Sequence, residues 1–503
     1  KQRLPEYLVP SKFVLMQQWP LTPQGKIDRR ALPEPEQEGT NSESVGPRTP
    51  VEEILAGIWA EVLRAEHISI NDDFFARGGH SLLVAQMVSR VRQALHVELP
   101  LRSVFESPTI AALADVIESL RHTSTGLELP AIERVSHEAG LPLSYAQQRL
   151  WFLDQLEPGN HFYNIAAAVR LEGHLKVDAL EASLNEVLKR HEVLRSCFRT
   201  VAGEPVQVVL PIEQVTLPVI DLAGFEESNR MVEARRLANI EARQPFDLSS
   251  GPLLRAGLIR LAEEDHILLL TMHHVVSDGW SVAVLVREVT ALYEAFSKAK
   301  PSPLPELTIQ YADYAAWQQQ WLQGPVLDEH LTFWRRQLAD SPPLIALPTD
   351  RRRPAVQTYK GARYPFTLPA PLAESIKKLS RAHNVTLFMT LLAGFKALLY
   401  RYTNQDSIVV ATSSAGRDRL ETERLIGFFA NTLVLHTHLK GSQTFEELLG
   451  NVRDRVLEAF THQSLPFEKL VEELRPEFVE QWRQGVRSET LEALLRQAHA
   501  ATL

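Results

Sequence analysis

His273 and His274 stand side by side where one pattern in the chain ends and another begins. Before them, Ile267 to Thr271 is an apolar run that reads as a buried strand. After them, Ser277-Asp278-Gly279 breaks the run, and helical spacing resumes from Ser281 to Leu292. The pair therefore belongs on a strand-to-helix turn. Imidazole exchanges protons near neutrality, so a histidine there suits general acid or base chemistry. Asp278 can fix a ring or anchor the loop, and Gly279 frees the backbone. By spacing alone the pair fits a hydrogen-bonded structural loop equally well.

Two other stretches carry chemistry. In Asp73-Phe74-Phe75-Ala76-Arg77-Gly78-Gly79-His80-Ser81 two glycines release the backbone, and Ser81 falls at the start of a helical pattern. Exposed N–H groups and the helix dipole suit a phosphate at that position; the alternative is that Ser81 is only an N-cap. Lys26, in Thr22-Pro23-Gln24-Gly25-Lys26, sits on a glycine hinge and by itself reads as a solvated charge.

The elements that position these residues fall into several units, as 503 residues exceed one ordinary domain. Residues 1–33 are too short to fold alone, and 34–49 form a Pro-, Glu-, Ser- and Gly-rich linker. Residues 50–121 read as a small four-helix unit: Val51, Leu55, Ile58 and Trp59, then Val84, Met87 and Val91, then Ile110, Leu113 and Ile117 recur at helical spacing. A second linker covers 122–139. From 140 to 476 strands and helices alternate, with a break near Ser341 to Pro354, so two α/β lobes are expected. Strands are predicted at Ile165–Leu171, Ile267–Met272, Ser407–Thr412 and Thr432–Leu439. Helices are predicted at Val177–Arg190, Glu233–Arg243, Ser281–Phe296, Leu372–His383 and Thr386–Tyr402. Residues 477–503 read as a helical tail.

Composition narrows the function. The charge of −9 is spread out, with no basic block for nucleic acid or an anionic membrane. No apolar run reaches the roughly twenty residues of a membrane span. A single cysteine, Cys197, rules out an internal disulfide and fits a reducing, cytoplasmic setting. The chain opens on Lys1 and is expected to be a piece of a longer protein.

In three consecutive pieces these residues resemble the non-ribosomal peptide synthetases. Leu4-Pro5-Glu6-Tyr7 and Pro20 to Arg29 resemble the C-terminal tail of an adenylation domain, which implies that Lys26 contacts carboxylate and phosphate in adenylate formation. Asp73-Phe74-Phe75 with Gly78-Gly79-His80-Ser81-Leu82 resembles a peptidyl carrier protein, which implies 4′-phosphopantetheine on Ser81 beside Gly79 and His80. The third piece is similar to a condensation domain on six motifs. They are Ser144 to Trp151, Arg190 to Phe198, His273 to Gly279, Tyr311 to Gln318, Ile426 to Thr432 and His462 to Glu468.

The resemblance implies a two-lobed α/β fold like chloramphenicol acetyltransferase, with a tunnel between the lobes. It implies amide formation between thioesters of an upstream donor and a downstream acceptor carrier, of the L-to-L type, in secondary-metabolite or antibiotic biosynthesis. His274 is the expected reactive group and His273 its packing neighbour. Asp278 and Gly279 complete the catalytic motif, Asp278 being expected to be structural and paired with Arg190, and Arg149 and Trp280 support the site. No metal is called for. The partners implied are an upstream adenylation body, a downstream acceptor carrier and a phosphopantetheinyl transferase, with no nucleic acid. Two departures stand out: His436 where the family often has arginine, and the helical tail where the family continues with further strands. The condensation domain is therefore expected to be incomplete. A catalytically inactive docking module and an epimerisation domain remain the alternatives.

Overall fold

The computed structural model describes residues 45–474 apart from 66, 96, 124–129, 137–139, 343–344, 352–360, 363 and 384. The segment with Lys26 and the helical reading of 477–503 lie outside the described residues.

Helix α1 (Pro50–Leu63) opens on a reciprocal cap. The Thr49 hydroxyl accepts the Glu52 N–H at 3.2 Å, and the Glu52 carboxylate accepts that of Thr49 at 3.3 Å. With α2 (Ser81–Leu95), the short α3 (Leu101–Glu106) and α4 (Ile110–Thr123) it forms the four-helix unit that the periodicity predicts. Leu55, Trp59, Met87, Val91, Leu113 and Ile117 are buried in its core.

The first lobe comprises β1 (Leu141–Pro142), α5 (Tyr145–Leu156), β2 (Asn164–Glu172), α6 (Val177–Arg190), β3 (Ser196–Val201), β4 (Glu204–Val209), β5 (Val219–Asp221), α7 (Glu227–Arg243), β6 (Leu254–Ala262), β7 (Asp265–His273) and α8 (Gly279–Phe296). Its main sheet has the order β2-β7-β6-β5, and a smaller one the order β1-β4-β3. Strand β7 lies inside the main sheet and is covered on both faces. Ile267 and Leu269 pack in a small cluster with Ala234 of α7, while Leu268, Leu270 and Met272 face the larger core. Cover on both faces accounts for a continuous apolar run in place of alternation. Antiparallel register sets Asn164 opposite His273, so the histidines leave the sheet at a fixed point.

Helices α9 (Tyr311–Trp321) and α10 (Gly324–Leu338) lead to the second lobe. There α11 (Ala370–Ala382), α12 (Leu387–Thr403), β8 (Ser407–Ser414), β9 (Asn431–His438), α13 (Phe445–Thr461) and α14 (Phe467–Leu474) follow. β8 and β9 pair antiparallel from Ser407↔His438 to Ser414↔Asn431. α12 and α13 pack on them, burying Met389, Leu433, Leu435, Leu449 and Val452. The four-helix unit rests on this lobe, α3 against α13, and the two cores form one continuous set of buried apolar side chains. Among the described residues no single helix is long and apolar enough to cross a membrane.

A lysine is buried in the second lobe. Lys396 of α12 donates to the Leu435 carbonyl at 2.7 Å and to the Thr437 hydroxyl at 2.6 Å. Burial pushes its ammonium from 10.5 down to about 7, and Arg455 adds repulsion. The unfolded chain therefore holds this proton over a pH range in which the folded chain has released it. Stability is expected to rise with pH between the two values, by at most ~1.4 kcal/mol per unit. Lys396→Met should flatten that rise in urea unfolding followed from neutral to alkaline pH. Parallel curves for the two proteins would contradict it.

Candidate active site

His273, the last residue of β7, turns its ring back onto the chain: Nδ1 accepts the Val275 N–H at 3.1 Å. The ring lies between Tyr163 and Phe246, and burial depresses its pKa to about 3. It is therefore a neutral packing group. The His274 N–H donates to the Tyr163 carbonyl at 2.8 Å, and its ring lies 4.4 Å from that of Phe428. Burial lowers the His274 pKa most strongly; hydrogen bonding to the backbone and the Asp278 charge oppose it, and the Arg149 guanidinium adds to it. His274 is thus a neutral imidazole, able to accept a proton.

Asp278 caps α8, accepting the Ser281 N–H at 2.8 Å and the Ser281 hydroxyl at 2.7 Å. It also accepts the Phe429 N–H at 3.0 Å. Its cation is not Arg190, as the resemblance led us to expect, but Arg417 of the second lobe, at 3.2 Å. Arg190 ends α6 and is engaged with Glu288 at 3.1 Å, beside His191 on the same carboxylate at 2.8 Å. Helix α8 places Glu288 facing α6, so Arg190 finds its acid there. Arg417 comes from the charged stretch Gly416-Arg417-Asp418-Arg419 just past β8. That stretch repeats the signal that marks the histidines, polar residues at the end of an apolar strand. Nothing in a single sequence says which arginine meets which acid.

Gly279 also differs from expectation. Its φ lies outside the left-handed region, and a Cβ there would meet nothing within 4 Å. Its backbone needs no special freedom; it leaves open the wall of the adjoining cavity.

The other motifs converge on the histidine turn. The Gln147 side-chain N–H donates to the Val275 carbonyl at 3.2 Å. Arg149, buried, pairs with Glu468 at 2.7 Å. Tyr311 joins the Ser144 hydroxyl at 2.7 Å and donates to the Phe428 carbonyl at 2.6 Å. The Ile426 N–H donates to His191 Nδ1 at 3.3 Å. Trp280 Nε1–H donates to the Glu423 carbonyl at 2.9 Å. His436, where the resemblance leads one to expect arginine, is tied to the Ser407 hydroxyl at 2.7 Å and the Gln337 carbonyl at 2.8 Å, away from the histidine turn.

In the four-helix unit, Asp73 holds the N–H groups of Phe75 and Ala76, both at 2.8 Å. Gly78 has φ +98°, the freedom expected of it. Gly79 is a glycine for a different reason: a Cβ would lie 2.2 Å from the Phe74 ring. The His80 carbonyl accepts the Val84 N–H at 2.9 Å, which puts the cap at His80 and Ser81 one residue inside α2. Ser81 is therefore not the N-cap, and its partly exposed hydroxyl stands at a helix N-terminus, a fitting place for a phosphodiester. Ser81 and the Asp278–Trp280 segment line the same cavity, of about 1140 Å³, between the two lobes and the four-helix unit.

Comparison with known proteins agrees with this arrangement. Residues 137–482 match the condensation domain family, and residues 53–117 match the phosphopantetheine attachment site. Over 479 residues, 95% of this chain, the sequence is 52% identical to a linear gramicidin synthase of Brevibacillus parabrevis, but that stretch is 6% of the relative. It is 44% identical over 476 residues, 94% of this chain, to malpinin synthetase of Mortierella alpina, again 6% of the relative. The chain thus spans a small fraction of the curated relatives it matches. Among solved structures, the X-domain from teicoplanin biosynthesis is similar with a TM-score of 0.63 and 31% identity, over 68% of this chain and 75% of that one. The two-lobed α/β body and the helical unit ahead of it are those of a carrier and a condensation domain, and the chain belongs to the condensation domain family of non-ribosomal peptide synthetases.

Proposed function

We propose that this chain joins an acyl group delivered by its own carrier to an amine held on a second, downstream carrier. The observation that carries the reading is the shared cavity, which has Ser81 at one side and, at the other, Asp278, Gly279 and Trp280, the residues that follow the buried histidines. We take 50–121 as the carrier and 140–476 as the condensation domain. When bound to Ser81 and charged, 4′-phosphopantetheine supplies an acyl thioester on a flexible arm. A phosphopantetheinyl transferase installs it, and an upstream adenylation body charges it, in the cytoplasm. Both reactants then arrive tethered, so positioning supplies much of the rate. The donor and acceptor are both L-configured on this reading.

As the amine nitrogen bonds to the acyl carbon and the thioester C–S bond breaks, His274 takes the proton of the attacking amine on a ring nitrogen that burial keeps neutral, and the departing thiolate gains a proton to remain as the free thiol on the carrier arm. His273 holds the turn. Asp278 and Arg417 lock that turn to the second lobe, and Arg149 with Glu468 braces it from α14.

A second reading is that the domain docks a partner without catalysis. It is favoured by the X-domain similarity, since one such structure is of a complex with OxyB. One assay separates the two. The chain is modified at Ser81, charged and mixed with an aminoacylated acceptor carrier, and the acceptor is weighed by mass spectrometry. Dipeptide on the acceptor is expected from the wild type. His274→Ala should lower its yield by at least about a hundredfold, the usual scale of acid–base catalysis, with the mass gain at Ser81 intact. Full dipeptide from that variant would remove His274 from the chemistry; none from the wild type would favour docking.

Positioning by the buried pair has its own test. Arg417→Leu leaves Asp278 charged and buried without its cation, and should destabilise the chain by about 3–5 kcal/mol in chemical denaturation. Adding Asp278→Asn should recover part of that loss. An Arg417 variant as stable as the wild type would show that the pair does not hold the lobes.

A further inference from the structure

Beyond the shared cavity, carrier and condensation domain meet at a charged contact. Arg90 lies on α2, the helix that begins with Ser81, and its guanidinium grips Glu423 with both arms, at 2.9 and 3.1 Å. A third contact, at 3.2 Å, ties it to Glu61 of α1. The Arg90 and Glu423 side chains are only 14% and 11% exposed, so the pair is largely withdrawn from solvent, where such bidentate contacts are strongest. Next to it, the Arg92 guanidinium reaches the Asp418 carbonyl at 3.4 Å.

Glu423 also faces the other way. Its carbonyl accepts the Trp280 indole N–H at 2.9 Å, and Trp280 is the second residue of α8. On either side of it, the carbonyls of Thr422 and Leu425 are both held by Arg417, which holds Asp278. One short segment thus receives the carrier through a side chain and the histidine turn through its backbone.

We propose that Glu423 is a positioning residue that couples docking of this chain's own carrier to the histidine turn, with Arg90 as the group it recognises and Trp280 as the link to α8. A carrier with an acid at the Arg90 position would meet Glu423 as a like charge and be refused. The coupling rests on the amide-forming reading, whereas the docking does not.

The test uses the full chain and two measurements. Small-angle scattering of the unmodified protein reports whether the carrier stays seated. Single-turnover transfer from charged Ser81, at varied acceptor concentration, reports the coupling. Arg90→Glu and Glu423→Arg should each expand the particle and slow transfer by roughly tenfold or more, the scale of ~1.4 kcal/mol, with the acceptor concentration for half-maximal rate unchanged. The double variant Arg90→Glu/Glu423→Arg should restore both. Trp280→Phe should slow transfer while leaving the particle compact. Single reversals with wild-type scattering, or a double variant no better than the singles, would overturn the docking claim. Wild-type transfer from Trp280→Phe would overturn the coupling. If the wild type transfers nothing, the amide-forming reading fails and takes the coupling with it, while scattering still decides the docking.

Discussion

The ion pair between Asp278 and Arg417 is the constraint on which the site depends. Both side chains are almost fully withdrawn from water. A buried pair stabilises only when its remaining donors and acceptors are used as well. Here they are used. Asp278 takes hydrogen bonds from Ser281 and the Phe429 backbone, and Arg417 gives them to two carbonyls and to Ser281. The Arg417 guanidinium also lies 4.0 Å over the Phe429 ring. The result fixes a turn of the first lobe against a segment of the second, so the histidine turn takes its position from both.

That junction is closed by shape as well as charge. Leu425, Ile426, Phe428 and Phe429 belong to the second lobe by sequence but are buried in the core of the first. Gly427 lets this crossing occur, since a Cβ there would lie 2.0 Å from the Tyr311 ring. Gly416 has φ +59°, and a Cβ there would lie 2.0 Å from the Phe429 carbonyl oxygen. The motif around Tyr311 therefore contributes a strut: its hydroxyl links Ser144 of the first motif to Phe428 of the fifth.

Periodicity made the larger features legible. Both faces of β7 are covered, so its sequence is a long apolar run, and its end at His273 was visible. In the second lobe α11, α12 and the strands β8 and β9 follow from the same patterns, whereas α13 and α14 are not among the expected elements. Helix α7 begins at Glu227, ahead of the Glu233 that periodicity predicts, because its first turns are polar and bury little. Helices α5, α9 and α10 and strands β5 and β6 are not among the expected elements either, and two further kinds of feature are not legible. The hairpin β3–β4 is short and partly exposed, so its alternation is weak. Pairings across long sequence separations, such as Arg417 with Asp278 or Arg149 with Glu468, depend on how the lobes pack, which no local pattern encodes. Arg190 resembled the expected partner because it lies in a motif; helix packing gave it Glu288 instead.

These pairings bear on how a weakly basic group can work here. Desolvation keeps the His274 imidazole unprotonated and disfavours the imidazolium that would form on accepting a proton. The charges around it bear on that cation in opposite senses: Asp278 favours it and Arg149 disfavours it. Both charges are themselves neutralised, by Arg417 and Glu468, so the field at the ring depends on how tightly each pair is closed. Loosening the Arg417 contact would strengthen the pull of Asp278 on the imidazolium; loosening the Glu468 contact would strengthen the push of Arg149. Both partners belong to the second lobe, so the basicity of His274 is set by the packing of the lobes as well as by its own turn.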